Sequence, residues 1–235
     1  TAQQSYVSAN YTHARDVLVD REPNVLAQLV AEEDERFSLS SNTDISADLF
    51  AMRRHGKLDF MAVGEVNPDL PFLGGDGAVL DPMEFDLILD PPEPFELFSA
   101  VKRPVGETAH AIGLHVSRLV EDGGTLQIGI GSIGEAVAHA LILRHRRPAR
   151  FAAILKALTP PDDPLERHTA PFEEGIYAAT AMFVDAFLEL YRAGVLKREV
   201  DGAVLDAAFF LAPRDFYAAL RDMPLEERAK FRMTD

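Results

Sequence analysis

The sequence predicts an α/β fold with open sheets, and three observations support this prediction. Short apolar segments typical of strands alternate with segments whose apolar residues recur at helical spacing. The stretch Thr125–Leu141 has the pattern of a buried strand, a glycine turn and a helix in immediate succession. With 235 residues, 47% of them apolar, the chain can bury a sizeable core.

The first half of the chain begins with polar, unpatterned residues and then shows regular elements. The predicted elements are an amphipathic helix at Pro23–Val30, a strand at Arg36–Ser40, a helix at Asp44–Arg54, and strands at Phe60–Gly64 and Phe85–Leu89. The continuous apolar run at Phe60–Gly64 is typical of a strand buried on both faces. The turn-rich loop Glu65–Asp76 then follows the carboxyl end of a strand, where open α/β sheets bind ligands.

A proline-rich segment separates this half from the second, so we predict domains at residues 1–89 and 106–235 joined by a linker at 90–105. The second half also alternates helices and strands. Its predicted elements are helices at Thr108–Glu121 and Phe151–Leu158, a long helix at Ile176–Ala193 whose first residues fit a strand as well, a strand at Ala203–Leu211, a helix at Pro213–Leu220, and a charged tail from Met223.

Composition argues against several classes of function. The net charge is −15, and the one dense basic patch, Arg144–Arg147, fits the end of a helix, which disfavours nucleic-acid binding. The absence of cysteine excludes disulfides, a thiol nucleophile and cysteine metal ligands. No apolar run is long enough for a membrane span, and no signal peptide is evident, so we expect a cytoplasmic protein.

The glycine turn is the strongest candidate for a ligand site. Gly129, Gly131 and Gly134 match the pattern G-x-G-x-x-G, and the free N–H groups of the following helix suit a phosphate or carboxylate. A dinucleotide fold also requires an acidic residue roughly 20 residues later. None occurs between Glu135 and Asp162, which disfavours a nicotinamide or flavin cofactor. A tight turn without a ligand remains the alternative.

Three segments, in order, resemble the acetyl-CoA hydrolase/transferase family, which includes 4-hydroxybutyrate and succinyl-CoA:acetate CoA-transferases. The first contains V-N-P-D-L-P at Val66–Pro71, followed by Gly75–Asp76. The second runs from Ala111 to Val137 and includes T-L-Q-I-G-I-G-S-I, and it is the most specific of the three. The third comprises Gly175–Ile176, T-A-M-F-V-D at Thr180–Asp185, and Ala193–Val195.

This resemblance implies two related CoA-transferase-like (NagB/RpiA-like) domains, the second incomplete, with the active site between them. It implies a short-chain acyl-CoA and a carboxylate as substrates, CoA entering as the substrate thioester, no metal, and a possible homodimer. In such enzymes a glutamate attacks the thioester, and the resulting anhydride is converted to a glutamyl-CoA thioester. The family members are longer, and their later glycine-rich segment does not appear, so we expect a fragment.

The resemblance assigns candidate residues, and it also shows a departure at the nucleophile. The candidates for binding CoA or substrate are Val66, Asn67, Gly75, Asp76, Gly129, Gly131, Ile133, Thr180 and Met182. Asn67 could instead cap a turn. The family's nucleophilic glutamate corresponds to Ala181, and a second alignment places Ala170 there. Glu173 and Glu174 are the nearby candidate substitutes, and the alternative is a catalytically silent relative that binds CoA or a partner.

Overall fold

The computed structural model describes residues 4, 6–99, 104–165 and 167–234. It has an α/β architecture with two open sheets, which confirms the predicted fold class. The chain divides into two compact units, one formed by residues 1–96 with 233–235 and the other by residues 97–232. No helix among the described residues is long and apolar enough to cross a membrane.

The first unit contains a five-stranded sheet in the order β4-β2-β1-β3-β5. Strand β1 is parallel to β3, and β3 is parallel to β5, whereas β2 pairs antiparallel with both β1 and β4. The elements are α1 (Ala14–Asp20), β1 (Val25–Glu33), β2 (Arg36–Ser38), α2 (Asp44–Arg54), β3 (Met61–Val66), β4 (Val79–Leu80) and β5 (Leu87–Leu89).

The core of this unit lies on one face of the sheet. Phe50 of α2 makes edge-to-face contacts with Phe60 and Phe85, with ring centroids 5.7 and 5.4 Å apart. Leu26 of β1 packs against the same cluster. The expectation that the Phe60–Gly64 strand is buried on both faces is wrong, because Met61 on the opposite face is 52% exposed.

The second unit contains a four-stranded sheet in the order β6-β7-β8-β9, in which β6, β7 and β8 are parallel. Its elements are α3 (Glu107–Ser117), β6 (Thr125–Leu126), α4 (Ser132–Arg146), α5 (Pro148–Leu158), β7 (Tyr177–Met182), α6 (Asp185–Arg192), β8 (Leu205–Phe209), α7 (Arg214–Arg221), α8 (Leu225–Arg228) and β9 (Phe231–Met233). The buried Phe183, which follows β7, stacks on Phe231 with ring centroids 5.3 Å apart.

Two expectations about secondary structure were wrong, and the charged tail contains elements that the sequence did not predict. Within the predicted helix Pro23–Val30, residues Val25–Val30 instead belong to β1, because they pair with β3 over six residues. The predicted helix at Ile176–Ala193 is strand β7 followed by α6, so its first residues follow the strand alternative. The charged tail contains α8 and β9, and the side chains of Phe231 and Met233 are fully buried.

A buried arginine joins α4 to the loop that precedes β7. Arg144 is only 1% exposed, and its Nε donates a 2.7 Å hydrogen bond to the Ala170 carbonyl. Its Nη1 donates to the carbonyls of Ser117 and Val120 at the end of α3. The guanidinium also lies 4.2 Å from the centre of the Phe172 ring. The Arg144 side chain therefore contacts three carbonyl groups and one aromatic ring, and these groups belong to two separate segments of the chain.

A single carboxylate holds the residues just before β7 beside the residues just before β6. Asp122 accepts hydrogen bonds from the backbone N–H groups of Glu173, Glu174 and Gly175 at 2.7, 3.0 and 2.7 Å, and from its neighbour Gly123 at 3.2 Å. Burial alone would raise the pKa of Asp122, but these N–H donors outweigh it, so the pKa lies below its ordinary value.

Replacing Asp122 with asparagine should destabilise the protein by about 2 kcal/mol at pH 7. The asparagine side chain has an NH₂ group in place of one carboxylate oxygen, and this group cannot accept a hydrogen bond from the backbone N–H groups it would face. A lowered carboxyl pKa stabilises the folded state above the unfolded pKa of about 3.9, and this contribution is lost as the pH falls through the folded pKa. Urea denaturation should therefore show that the difference in the free energy of unfolding between the unchanged protein and Asp122→Asn becomes smaller below about pH 4. The exposed Asp162→Asn is the matched control. An equal difference at pH 3 and pH 7 would contradict this prediction.

Candidate functional site

The glycine turn connects β6 to α4 and closes tightly on itself. An ideal Cβ atom at Gly134 would lie 2.3 Å from the Gly129 carbonyl oxygen, so only glycine fits there. Gly131 has a φ of +113°, which side chains rarely adopt, and its surroundings are open. Glycine is therefore required at Gly134 by the close approach of the backbone and favoured at Gly131 by the positive φ. The outer side of the turn is exposed to solvent.

The first turn of α4 presents backbone N–H groups without intrahelical partners. The helix runs for 15 residues from Ser132, and Gly131 at its N-cap supplies no side-chain hydrogen bond. The helix dipole favours a negative group at this end. The N–H groups at this end of α4 are therefore suited to a phosphate, a carboxylate or a developing oxyanion.

The carboxyl end of β7 is tied to the segment that leads into the glycine turn. The Thr180 hydroxyl lies 3.4 Å from the Ile128 carbonyl and 3.1 Å from the Met182 carbonyl, in position to donate to either. Ala181 is exposed and Met182 is half-buried. The structure thus brings Thr180 and the neighbouring position 181 to the same edge of the sheet as Gly129, Gly131 and Ile133.

Two large apolar side chains flank the turn on its solvent side. Ile130 is 71% exposed and Ile133 is 51% exposed. Because the N–H groups at the start of α4 are polar and these side chains are not, the surface around the turn combines an anion-binding element with apolar contacts. This combination suits a ligand that has both a charged part and an aliphatic part.

Glu173 and Glu174 lie at the other end of the sheet. Both are exposed, and their N–H groups bond to Asp122 just before β7 begins at Tyr177. Strands β6 and β7 are parallel, so their starting residues are neighbours there. The six residues of β7 span roughly 20 Å. The structure therefore does not bring these glutamates together with the glycine turn.

The candidate residues Val66, Asn67, Gly75 and Asp76 belong to the first unit. Val66 ends β3, and the buried Asn67 uses its side chain to shape the loop. Its Oδ1 accepts from the Asp69 N–H at 3.0 Å, and its Nδ2 donates to the Phe95 carbonyl at 2.8 Å. This is turn capping, the alternative that the sequence left open.

Two buried serines, Ser38 at the end of β2 and Ser40 just after it, anchor the same loop. The Ser38 hydroxyl donates to the Leu73 carbonyl at 2.6 Å, and the Ser40 hydroxyl donates to the Pro71 carbonyl at 2.7 Å. Gly75 has a φ of +144°, which side chains rarely adopt, so this position favours glycine. Asp76 is exposed. Sequence reasoning missed both serines, since isolated serines beside a strand carry no distinctive signal.

Within the described residues, no group of three or more His, Asp or Glu side chains could hold a metal ion. The rings of His110 and His139 make an edge-to-face contact between α3 and α4, with centroids 5.3 Å apart. Two imidazoles alone do not complete a metal site of the usual four-ligand kind.

Comparisons with known proteins identify related sequences and folds, although no protein-family model matches the chain. The 4-hydroxybutyrate coenzyme A transferase of Clostridium kluyveri is 25% identical over 170 residues, which is 71% of this chain and 32% of that protein. The succinyl-CoA:cyclohexane-1-carboxylate CoA transferase of Geobacter metallireducens is 32% identical over 119 residues, 51% of this chain and 26% of that protein. This chain is thus similar in sequence to two CoA transferases.

Solved structures share the fold of this chain. RipA from Yersinia pestis matches with a TM-score of 0.69 and 22% identity, over 97% of this chain and 45% of RipA. The 4-hydroxybutyrate CoA-transferase abfT-2 from Porphyromonas gingivalis matches with a TM-score of 0.64 and 18% identity, over 97% of this chain and 49% of that structure. The chain therefore spans less than half the length of these structures, and about a third or less of the curated relatives.

Proposed function

We propose that this chain binds a short-chain acyl-CoA at the glycine turn between β6 and α4. The observation that carries the proposal is the juxtaposition of the N–H groups in the first turn of α4, where the N-cap Gly131 makes no side-chain hydrogen bond, with the end of β7, where Thr180 bonds back toward the turn. The relatives are named as CoA transferases, so CoA thioesters are the first ligands to consider.

In this proposal the N–H groups of α4 receive a negative or polarised oxygen of the ligand, either a phosphate or the thioester carbonyl. Ile130 and Ile133 supply apolar contacts for the aliphatic part of the thioester. Position 181 lies at the exposed end of β7, where the family's nucleophile corresponds to alanine. A methyl group cannot attack a thioester carbonyl, so we propose that the chain does not form the glutamyl intermediates of active transferases.

Titration calorimetry with CoA and with acetyl-CoA tests the binding site. We expect both ligands to bind, and Gly134→Ala to weaken binding about tenfold or more, because its methyl group would displace the turn. Gly106→Ala is the matched control, since nothing lies within 4 Å of its Cβ position. Absence of binding to the folded chain, or equal affinity of Gly134→Ala and the unchanged chain, would refute the proposal.

Intact mass spectrometry after incubation with acetyl-CoA tests the catalytic part of the proposal. We expect an unchanged mass. A CoA-sized adduct that borohydride removes would instead indicate transfer activity through another nucleophile. Peptide mapping would then identify the modified carboxylate, and Glu173 or Glu174 could be that residue only if acetyl-CoA binds away from the glycine turn. Such a result would support a CoA-transferase or acyl-CoA hydrolase activity for this chain, with a carboxylate or water as acceptor.

A further inference from the structure

Among the described residues of the first unit, no element covers one face of the parallel strands. Strand register places the outward side chains of β1, β3 and β5 side by side, because Val25 pairs with Met61, and Val63 pairs with both Ala27 and Leu87. We call this set the open face; its members are Val25, Ala27, Leu29, Met61, Val63, Glu65, Leu87 and Leu89.

The open face is apolar and exposed. Val25, Met61, Leu87 and Leu89 are 51, 52, 48 and 42% exposed. A shallow pocket of about 220 Å³ opens on it between β1, β3 and β5. Parallel strands are normally covered on both faces, and in α/β proteins the covering elements are helices. An apolar patch of this kind therefore marks a surface that binds another element.

Charge determines which element suits this surface. Residues 1–96 contain 19 Asp and Glu but only 6 Lys and Arg, whereas residues 97–232 contain 18 and 17. Glu65 lies within the open face, Asp59 precedes β3, and Asp90 follows β5. A second copy packed face to face would bring these acidic surfaces together at a cost in free energy. A partner with an apolar stripe and basic flanks would gain from both features.

We propose that the open face is the docking surface for a basic amphipathic helix of a polypeptide partner. The helix lays its apolar stripe along β1, β3 and β5, and its Lys or Arg side chains meet the acidic residues at the border. This mode of recognition uses apolar anchors for affinity and complementary charge for orientation and specificity. The proposal does not depend on acyl-CoA binding by the second unit.

A synthetic helical peptide provides a direct probe, because the chain contains no tryptophan and one tryptophan in the peptide reports binding by fluorescence. The peptide carries a leucine stripe flanked by lysines, and its counterpart carries glutamates in place of the lysines. We expect the lysine peptide to bind about tenfold or more tightly than the glutamate peptide, with an affinity that falls as salt is added.

Two variants test the location, and a third serves as the control. Leu87→Lys and, separately, Met61→Lys should weaken binding of the lysine peptide about tenfold, since each places a like charge within the apolar face. Met83→Lys makes the same kind of change at a residue that is 94% exposed and outside the strands. Thermal melting of all three variants verifies that they are folded.

Three results would overturn the proposal. The first is equal binding of both peptides, or binding of neither, to the folded chain. The second is equal affinity of Leu87→Lys, Met61→Lys and Met83→Lys for the lysine peptide. The third is a dimer in sedimentation that Leu87→Lys dissociates and Met83→Lys does not, which would identify a second copy as the occupant.

Discussion

Replacing Ala181 with glutamate is expected to give the chain a covalent CoA adduct that it otherwise lacks. Ala181 is exposed near the carboxyl end of β7, so a longer side chain can be accommodated there. The introduced carboxylate would attack the acetyl-CoA carbonyl and release CoA thiolate, which then attacks the mixed anhydride and releases acetate. Intact mass spectrometry should show a CoA-sized increase that disappears after borohydride reduction.

The matched control is Ala179→Glu, which makes the same change two residues earlier on the same strand and face. Ala179 is also exposed, and its Cα lies roughly 7 Å from that of Ala181. Only the variant at position 181 should form the adduct, because attack requires the carboxylate within about 3.5 Å of the thioester carbon. Adducts on both variants, or on neither despite acetyl-CoA binding, would contradict the assignment of position 181.

Replacing Arg144 with methionine is expected to destabilise the protein by about 3 kcal/mol or more. Methionine fills much of the same volume but donates no hydrogen bond, so the carbonyls of Ala170, Ser117 and Val120 lose a common donor. The stacking of the guanidinium on Phe172 is lost as well. Urea denaturation followed by circular dichroism would measure the change in the free energy of unfolding.

Arg150→Met is the control for this change, since Arg150 is exposed on the neighbouring helix α5. Its effect should stay within about 0.5 kcal/mol, as is usual for surface positions. A loss below 1 kcal/mol for Arg144→Met would mean that water or rearranged donors satisfy the three carbonyls.

The sequence predicted the parts of the fold that depend on local pattern. Asp44–Arg54 has strong helical periodicity, and the helix has these same bounds in the structure. The succession of strand, glycine turn and helix around Gly129–Gly134 was also predicted, because glycines interrupt two apolar segments there. The resemblance to CoA-transferases depended on three segments, the most specific of which contains this turn, and it is confirmed by the sequence comparisons.

The errors lie where distant pairing decides the outcome. Residues 25–30 have apolar spacing that suits a helix, but pairing with β3 makes them a strand. The alanine-rich β7 has helical propensity and is a strand because it lies between β6 and β8. Strand β9 is only three residues long, too short to show a period.

The part of the candidate site that lies in the second unit could be predicted only in part, because its geometry also depends on contacts between distant residues. The sequence indicated the turn and position 181, but no local pattern shows that Glu173 and Glu174 precede the strand β7 that has position 181 near its other end. The roles of Asp122 and Arg144 depend on contacts with residues far along the chain, so no short motif could reveal them. The binding roles of the candidate residues stay predictions.

The pairing of Thr125 with Tyr177 has a consequence for the order of folding. Helices α4 and α5 lie between these two strands in the chain, so a long loop must close before β6 and β7 can pair. Contacts of such high sequence separation slow folding, whereas the intervening helices can form locally. We therefore expect the α3–α4–α5 segment to form early. The parallel strands β6 and β7, which lie beside the glycine turn, are expected to pair later.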